Sequence, residues 1–178
     1  MRISLAVDNM DEGDSDSGVP LWSLRKLEHT VGDFLRTVWP ESSRYIVIEI
    51  SVSLLSTVEI RYYNNKYRGV DQPTDVLSFP MWEVDGIFTP PADMNPLPLG
   101  DILICPSLVK LNSSGSGRDT RLEMCLMLAH GILHLLGMDH DIPERKRKMW
   151  EMQALLSERI ESCLQKGGNS PAGEYTDV

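Results

Sequence analysis

From Met124 to Leu136 the chain runs for thirteen residues with almost only apolar side chains, and the polar exceptions are two histidines, His130 and His134. The run is too short and too polar to span a bilayer, so the rest of a folded domain has to bury it. Thr120-Arg121-Leu122-Glu123 has the form of a capping box and opens a helix here, and Gly137 can take the positive φ that ends one. A helix apolar on nearly every side is a buried central helix. His130 and His134 stand four residues apart and leave the same face. A chain reversal at Gly137 can bring His140 back towards them. Burying imidazoles in such a setting is costly without a shared partner. Three neutral imidazoles around a zinc ion leave a fourth position open, the arrangement of a catalytic rather than a structural site. His29, alone on the polar side of an earlier helix, has no such company.

The surroundings read as interspersed strands and helices without regular alternation. Ile3, Leu5 and Val7 suggest a first strand, and Leu24, Leu27, Val31, Phe34, Leu35 and Val38 recur at helical spacing up to Pro40. Ile46, Ile48, Ile50, Val52 and Leu54 alternate along a strand. Ser56-Thr57-Val58-Glu59 is a capping box for a helix running towards Asn65. Strands are expected at Asp75–Phe79 and Leu99–Cys105, with a proline-rich stretch between Pro80 and Pro98 and a flexible linker over Asn112–Gly117. Pro143 suits the first turn of a last helix, on which Met149, Met152, Leu156, Ile160 and Cys163 share a face. The expected fold is α+β: a small mixed β-sheet packed around the buried helix that carries the histidines. Residues 1–165 read as one domain with an acidic loop at 8–18, and residues 166–178 as a flexible tail.

Charge and cysteine usage bound the function. The 178-residue chain carries a formal net charge of -9, which excludes a protein that coats nucleic acid by bulk charge. The excess is peripheral. Arg2 faces Asp8, Asp11, Glu12, Asp14 and Asp16 near the start, and Lys166 faces Glu161, Glu174 and Asp177 near the end, so the middle is close to neutral. The one basic block, Arg145-Lys146-Arg147-Lys148, reads as a solvated helix face compensated by Glu144 and Glu151. Cys105, Cys125 and Cys163 are odd in number and widely spaced; free buried thiols in a reducing cytoplasm are expected rather than disulfides or a thiolate metal site. No secretory signal pattern opens the chain.

The histidine spacing is similar to the long zincin protease motif, but that motif carries a glutamate base directly after its first histidine, and Gly131 stands there. A second likeness is more specific. His130-Gly131-Ile132-Leu133-His134-Leu135-Leu136-Gly137-Met138-Asp139-His140 resembles the signature of the YbeY family, the bacterial metal-dependent endoribonucleases of ribosomal RNA maturation. Asn64-Asn65-Lys66-Tyr67-Arg68, then Pro73-Thr74-Asp75-Val76-Leu77-Ser78-Phe79-Pro80, and Leu99-Gly100-Asp101-Ile102 match its other segments in order. Met138 departs, standing where the family commonly has tyrosine.

The resemblance implies a single-strand-specific endoribonuclease, acting in maturation of small-subunit ribosomal RNA at its 3′ end and in ribosome quality control. His130, His134 and His140 would hold one Zn(2+) per chain, with nickel or another divalent ion also suited to three imidazoles. A zinc-bound water would attack the phosphodiester, and Arg68 would clamp the phosphate. Asp139 is either an acceptor for a histidine N–H or a turn residue. The implied partners are precursor rRNA and the ribosome or its proteins, without DNA or membrane, for a cytoplasmic protein favoured as a monomer. A zincin-like metallopeptidase and a non-catalytic, zinc-stabilised assembly factor remain as alternatives.

Overall fold

The computed structural model describes residues 1–9, 23–84 and 86–164. Most of the acidic 8–18 segment and the tail after Leu164 lie outside them; Asp8 and Asn9 belong to the first strand. In chain order the elements are β1 (Arg2–Asn9), α1 (Leu24–Val38), a 3-10 turn (Pro40–Arg44), β2 (Val47–Leu54), α2 (Thr57–Arg68), β3 (Val76–Pro80), β4 (Glu83–Val84), β5 (Ile87–Phe88), β6 (Leu97–Ile104), α3 (Pro106–Ser116), α4 (Thr120–Leu135) and α5 (Pro143–Glu161). The main sheet has the order β1-β2-β6-β3, parallel except for the antiparallel edge strand β3. It is the expected α+β fold with a small mixed sheet.

Alternation decides which face of the sheet is which. Ile48, Ile50, Val52 and Leu54 of β2 all point into the main core, with Leu27, Val31, Phe34 and Leu35 of α1 and the apolar side chains of α4 and α5. A smaller cluster of Leu55, Ile60, Leu77, Leu103 and Cys105 lies under α2 on the other face. Strand β6 changes parity midway: Leu97 and Leu99, then Ile102 and Ile104, enter the main core. The cause is a bulge, since Glu49 pairs with Pro98 and Ile50 with Gly100, leaving Leu99 as an extra residue. Gly100 takes φ +138°, and a Cβ there would run into the Phe79 carbonyl oxygen. Only glycine serves at that point.

Helix α4 is the buried helix that the sequence predicts, packed against α5, α3, β3 and β6. Its N-cap is Asp119, whose Oδ1 accepts the Arg121 N–H at 2.8 Å, rather than Thr120 of the expected capping box. The Thr120 hydroxyl is instead engaged with Ser113 Oγ at 2.8 Å. The capping box of α2 forms as expected, Ser56 N–H donating to Glu59 Oε2 at 2.8 Å and Glu59 N–H to Ser56 Oγ at 3.4 Å.

One expectation is corrected. Asn112–Gly117 is not a linker but the last turn and cap of α3, which starts with Pro106 at its first position and ends at Gly117, φ +71°. Ser113 is fully buried there, donating to the Lys110 carbonyl at 3.0 Å. Tertiary burial overrides the weak helix propensity of its Ser/Gly sequence. The proline-rich stretch between Pro80 and Pro98 has structure of its own. It contains the β4–β5 hairpin and is tied down by Trp82 Nε1–H donating to the Pro98 carbonyl, Tyr45 Oη–H to the Pro91 carbonyl at 3.0 Å, and Ile46 N–H to Asn95 Oδ1 at 2.6 Å.

Gly131 brings α4 onto β6. A Cβ at this position would sit 2.7 Å from Ile102 Cγ2 and 2.9 Å from its Cδ1, inside any normal contact. Gly131→Ala is therefore expected to destabilise the protein by about 1–2 kcal/mol, overpacking outweighing the gain in helix propensity. Denaturant melts of Gly131→Ala, Ile102→Ala and the double variant check this. The double variant should lose less than the two single losses added together; strict additivity would mean that the two residues do not share this contact.

Candidate metal centre

The histidines converge because of how α4 ends. Gly137 N–H donates to the His134 carbonyl at 2.9 Å and Met138 N–H to the Leu133 carbonyl at 3.1 Å, with Gly137 at φ +70°. This is a Schellman ending. The reversed chain carries His140 over the helix end, and His140 N–H donates to Asp139 Oδ1 at 2.7 Å. Asp139 is thus engaged by the main-chain N–H of the next residue. Phe88 of the hairpin packs on the reversal, 3.1 Å from where a Gly137 Cβ would be.

His130 Nε2 and His134 Nε2 lie 3.0 Å apart, and one ligand atom from each of the three histidines falls within 4.8 Å of the others. Nitrogens on a tetrahedral zinc stand about 3.3 Å apart, so the donors are gathered at the scale of a single ion. His130 Nδ1 meets Gln153 Oε1 of α5 at 2.8 Å. Donation of the Nδ1 proton to that oxygen leaves the Nε2 lone pair facing the other rings. Burial lowers the pKa of His130, and burial followed by the neighbouring imidazoles of His130 and His140 lowers His134 to about 4. Both are neutral at pH 7 and offer lone pairs rather than protons. The donor set, three imidazoles with no carboxylate or thiolate, fits a borderline divalent ion such as zinc or nickel.

The cluster lies in a cavity of about 280 Å³ lined by Arg68, Val76, Ser78, Pro80, Glu83, Met138 and Asp139 besides the histidines. Val76, Ser78 and Pro80 are the alternate residues of β3 that face α4. Arg68 comes from the last turn of α2, which lies on the opposite face of the sheet, and it reaches round the edge strand. Asn64 holds that approach. Its buried side-chain amide donates to the Gln72 carbonyl at 2.7 Å, while Gly69 in left-handed conformation closes the helix. Met138, the residue that departs from the motif, lines the cavity wall.

Sequence reasoning placed all four of His130, His134, His140 and Arg68, and the structure brings them into one cavity. It missed Gln153, twenty-three residues from its histidine partner and on a different helix, and Glu83, in the proline-rich stretch. No local spacing signals either. Gly131 also changes meaning. Sequence comparison marks it as a missing glutamate base, whereas the packing against Ile102 leaves no room for any side chain.

Other candidates stay apart. His29 is exposed on α1 and pairs with Asp33 at 3.0 Å. All three cysteines are buried and none forms a disulfide. In the basic block Arg145 pairs with Asp141 at 3.3 Å and Arg147 with Glu151 at 3.0 Å. Among the described residues no helix is long and apolar enough to cross a membrane.

Comparison with known proteins agrees with the geometry. The family model described as Endoribonuclease YbeY matches residues 14–161. A curated Endoribonuclease YbeY of Acidothermus cellulolyticus is 35% identical over 147 residues, covering 80% of this chain and 85% of that protein. One from Acetivibrio thermocellus is 41% identical over 111 residues, covering 59% of this chain and 68% of that protein. The solution structure of TM1509 from Thermotoga maritima superposes with a TM-score of 0.53 at 26% identity, covering 89% of this chain and 90% of that one. The matched region contains the whole central helix, the reversal at Gly137 and Arg68, and the chain belongs to the YbeY family.

Proposed function

We propose that this chain is a metal-dependent endoribonuclease that hydrolyses single-stranded RNA, with His130, His134 and His140 holding one divalent ion, zinc by preference. The observation that carries this reading is the single cavity in which three imidazoles stand beside a guanidinium. The family supports it, since the relatives are named Endoribonuclease YbeY. The chemistry a divalent ion supplies when held there is Lewis acidity and activation of water near neutral pH. Everything else is done by the chain. Gln153 fixes the His130 ring and its proton. Arg68 binds the phosphate and stabilises the charge that builds on its oxygens in an in-line displacement. With Gly131 unable to carry a base, the carboxylates left to accept a proton are those of the cavity wall, Glu83 and Asp139. In this reading the substrate is precursor ribosomal RNA, the reaction belongs to 3′-end maturation and ribosome quality control in the cytoplasm, and the chain works as a monomer on ribosome-bound RNA.

Nothing at Gly131 favours the peptidase alternative. The non-catalytic alternative is separated by activity alone, because both readings expect the metal to stabilise the fold.

Three outcomes check the proposal. Stripping the metal with a chelator should lower the melting temperature by about 10 °C relative to protein in a thousandfold excess of zinc over its Kd. It should also abolish cleavage of a single-stranded rRNA fragment, and His134→Ala should behave like stripped protein in both assays; metal-stabilised protein that leaves RNA intact would favour the assembly-factor reading. Arg68→Ala should retain its zinc by elemental analysis yet cleave about a hundredfold more slowly, with Arg68→Lys between the two. Gln153→Ala should bind zinc about 10–100-fold more weakly while the melting behaviour of the metal-free protein changes little, a comparison made by competition with a chromophoric chelator.

A further inference from the structure

Helix α2 carries an aromatic surface that neither the core nor the cavity accounts for. Tyr63 and Phe79 pack on the small cluster beneath the helix, and the ring of Tyr67 is held between them. It stacks parallel to Tyr63 with centroids 6.2 Å apart and meets Phe79 edge-on at 5.1 Å. Yet Tyr67 is 56% exposed and Tyr62, one position before Tyr63, is 59% exposed. Lys66 lies between the two, its ammonium 5.0 Å from the Tyr67 ring centroid and 5.7 Å from that of Tyr62. Arg61, the other cation of this helix face, is already tied to Asp71 through two hydrogen bonds of 2.8 and 2.9 Å.

Position gives this surface its meaning. Tyr67 immediately precedes Arg68, the residue that turns round edge strand β3 into the histidine cavity, and Phe79 lies between Ser78 and Pro80, which line that cavity. The surface and the cavity are thus two sides of one strand edge. Solvent-facing rings beside a cation are what unstacked bases bind. A duplex has no free base faces to offer, so a surface of this kind selects single strands.

We propose that Tyr67 and Tyr62, with Lys66 between them, form a base-stacking platform for the nucleotides of single-stranded RNA that flank the phosphate bound by Arg68. The proposal rests on the endoribonuclease reading above and adds its source of strand selectivity. An arriving base displaces the Lys66 ammonium from the ring face and leaves it beside the neighbouring phosphate. Contact by stacking also suits a chain whose net charge of -9 gives it little bulk attraction for RNA. A protein partner is the weaker occupant, because the exposed rings alternate with cations next to Arg68, which turns into the histidine cavity.

The test uses zinc-loaded protein, a short single-stranded RNA for cleavage and its 2′-O-methyl analogue for binding by fluorescence anisotropy. Tyr67→Ala and Tyr62→Ala should each weaken binding about tenfold, with a larger effect on KM than on kcat, and Tyr67→Trp should restore it. The decisive arm removes a base instead of a ring. An abasic nucleotide beside the scissile position should weaken binding to the wild type and add nothing further in Tyr67→Ala. An equal abasic penalty in both proteins would overturn the platform. Unchanged RNA affinity in the Tyr62→Ala, Tyr67→Ala double variant, with cleavage intact, would also overturn it, leave the nuclease reading standing and assign the face to a protein. A wild type that neither binds nor cuts the RNA would remove both readings together.

Discussion

The structure depends on how closely helix α4 approaches strand β6. Gly131 has no room for a side chain beside Ile102, and that contact fixes the height and rotation of the helix over the sheet. With the helix seated there, its apolar residues fill the core and the same-face pair His130 and His134 points along the sheet towards edge strand β3. A bulkier residue at position 131 would lift the helix and with it both imidazoles. The position that looks like a missing catalytic glutamate is where the fold sets its geometry.

Burial then does chemical work. An imidazole in water is partly protonated near neutrality, but the surroundings of His134 push its pKa to about 4 and those of His130 also downwards, so both present lone pairs at pH 7. Gln153 orients one ring, and the Schellman ending at Gly137 returns His140 to the same place. Arg68 arrives from the opposite face of the sheet, held by the Asn64–Gln72 hydrogen bond and the Gly69 cap. The site is assembled from α2, β3, β4, α4 and α5, so its precision rests on the packing of the whole sheet edge. The acidity of the chain does not oppose this, because most of the excess negative charge sits towards the ends of the sequence.

Much of this was legible in the residues. The helix ending at Gly137, the spacing of its histidines and the strands flanking it follow from periodicity and turn chemistry, which are local. What was not legible is long-range. Nothing near Asn112–Gly117 announces that Ser113 is buried and that a Ser/Gly segment forms the last turn of a helix. The extra residue at Leu99 in β6 shows itself only when paired with β2. Gln153 and Glu83 join the site through tertiary packing alone. Tyr67 and Arg68 belong to one sequence motif, but the structure separates them to two sides of an edge strand and gives them different surroundings.

The central claim is that three imidazoles make an open metal site. X-ray absorption at the metal edge of the zinc-loaded protein tests it most directly. The account predicts three histidine nitrogens at about 2.0–2.1 Å with the remaining position filled by a light exogenous ligand. A shell closed by four protein ligands, or a sulfur scatterer at about 2.3 Å, would contradict it.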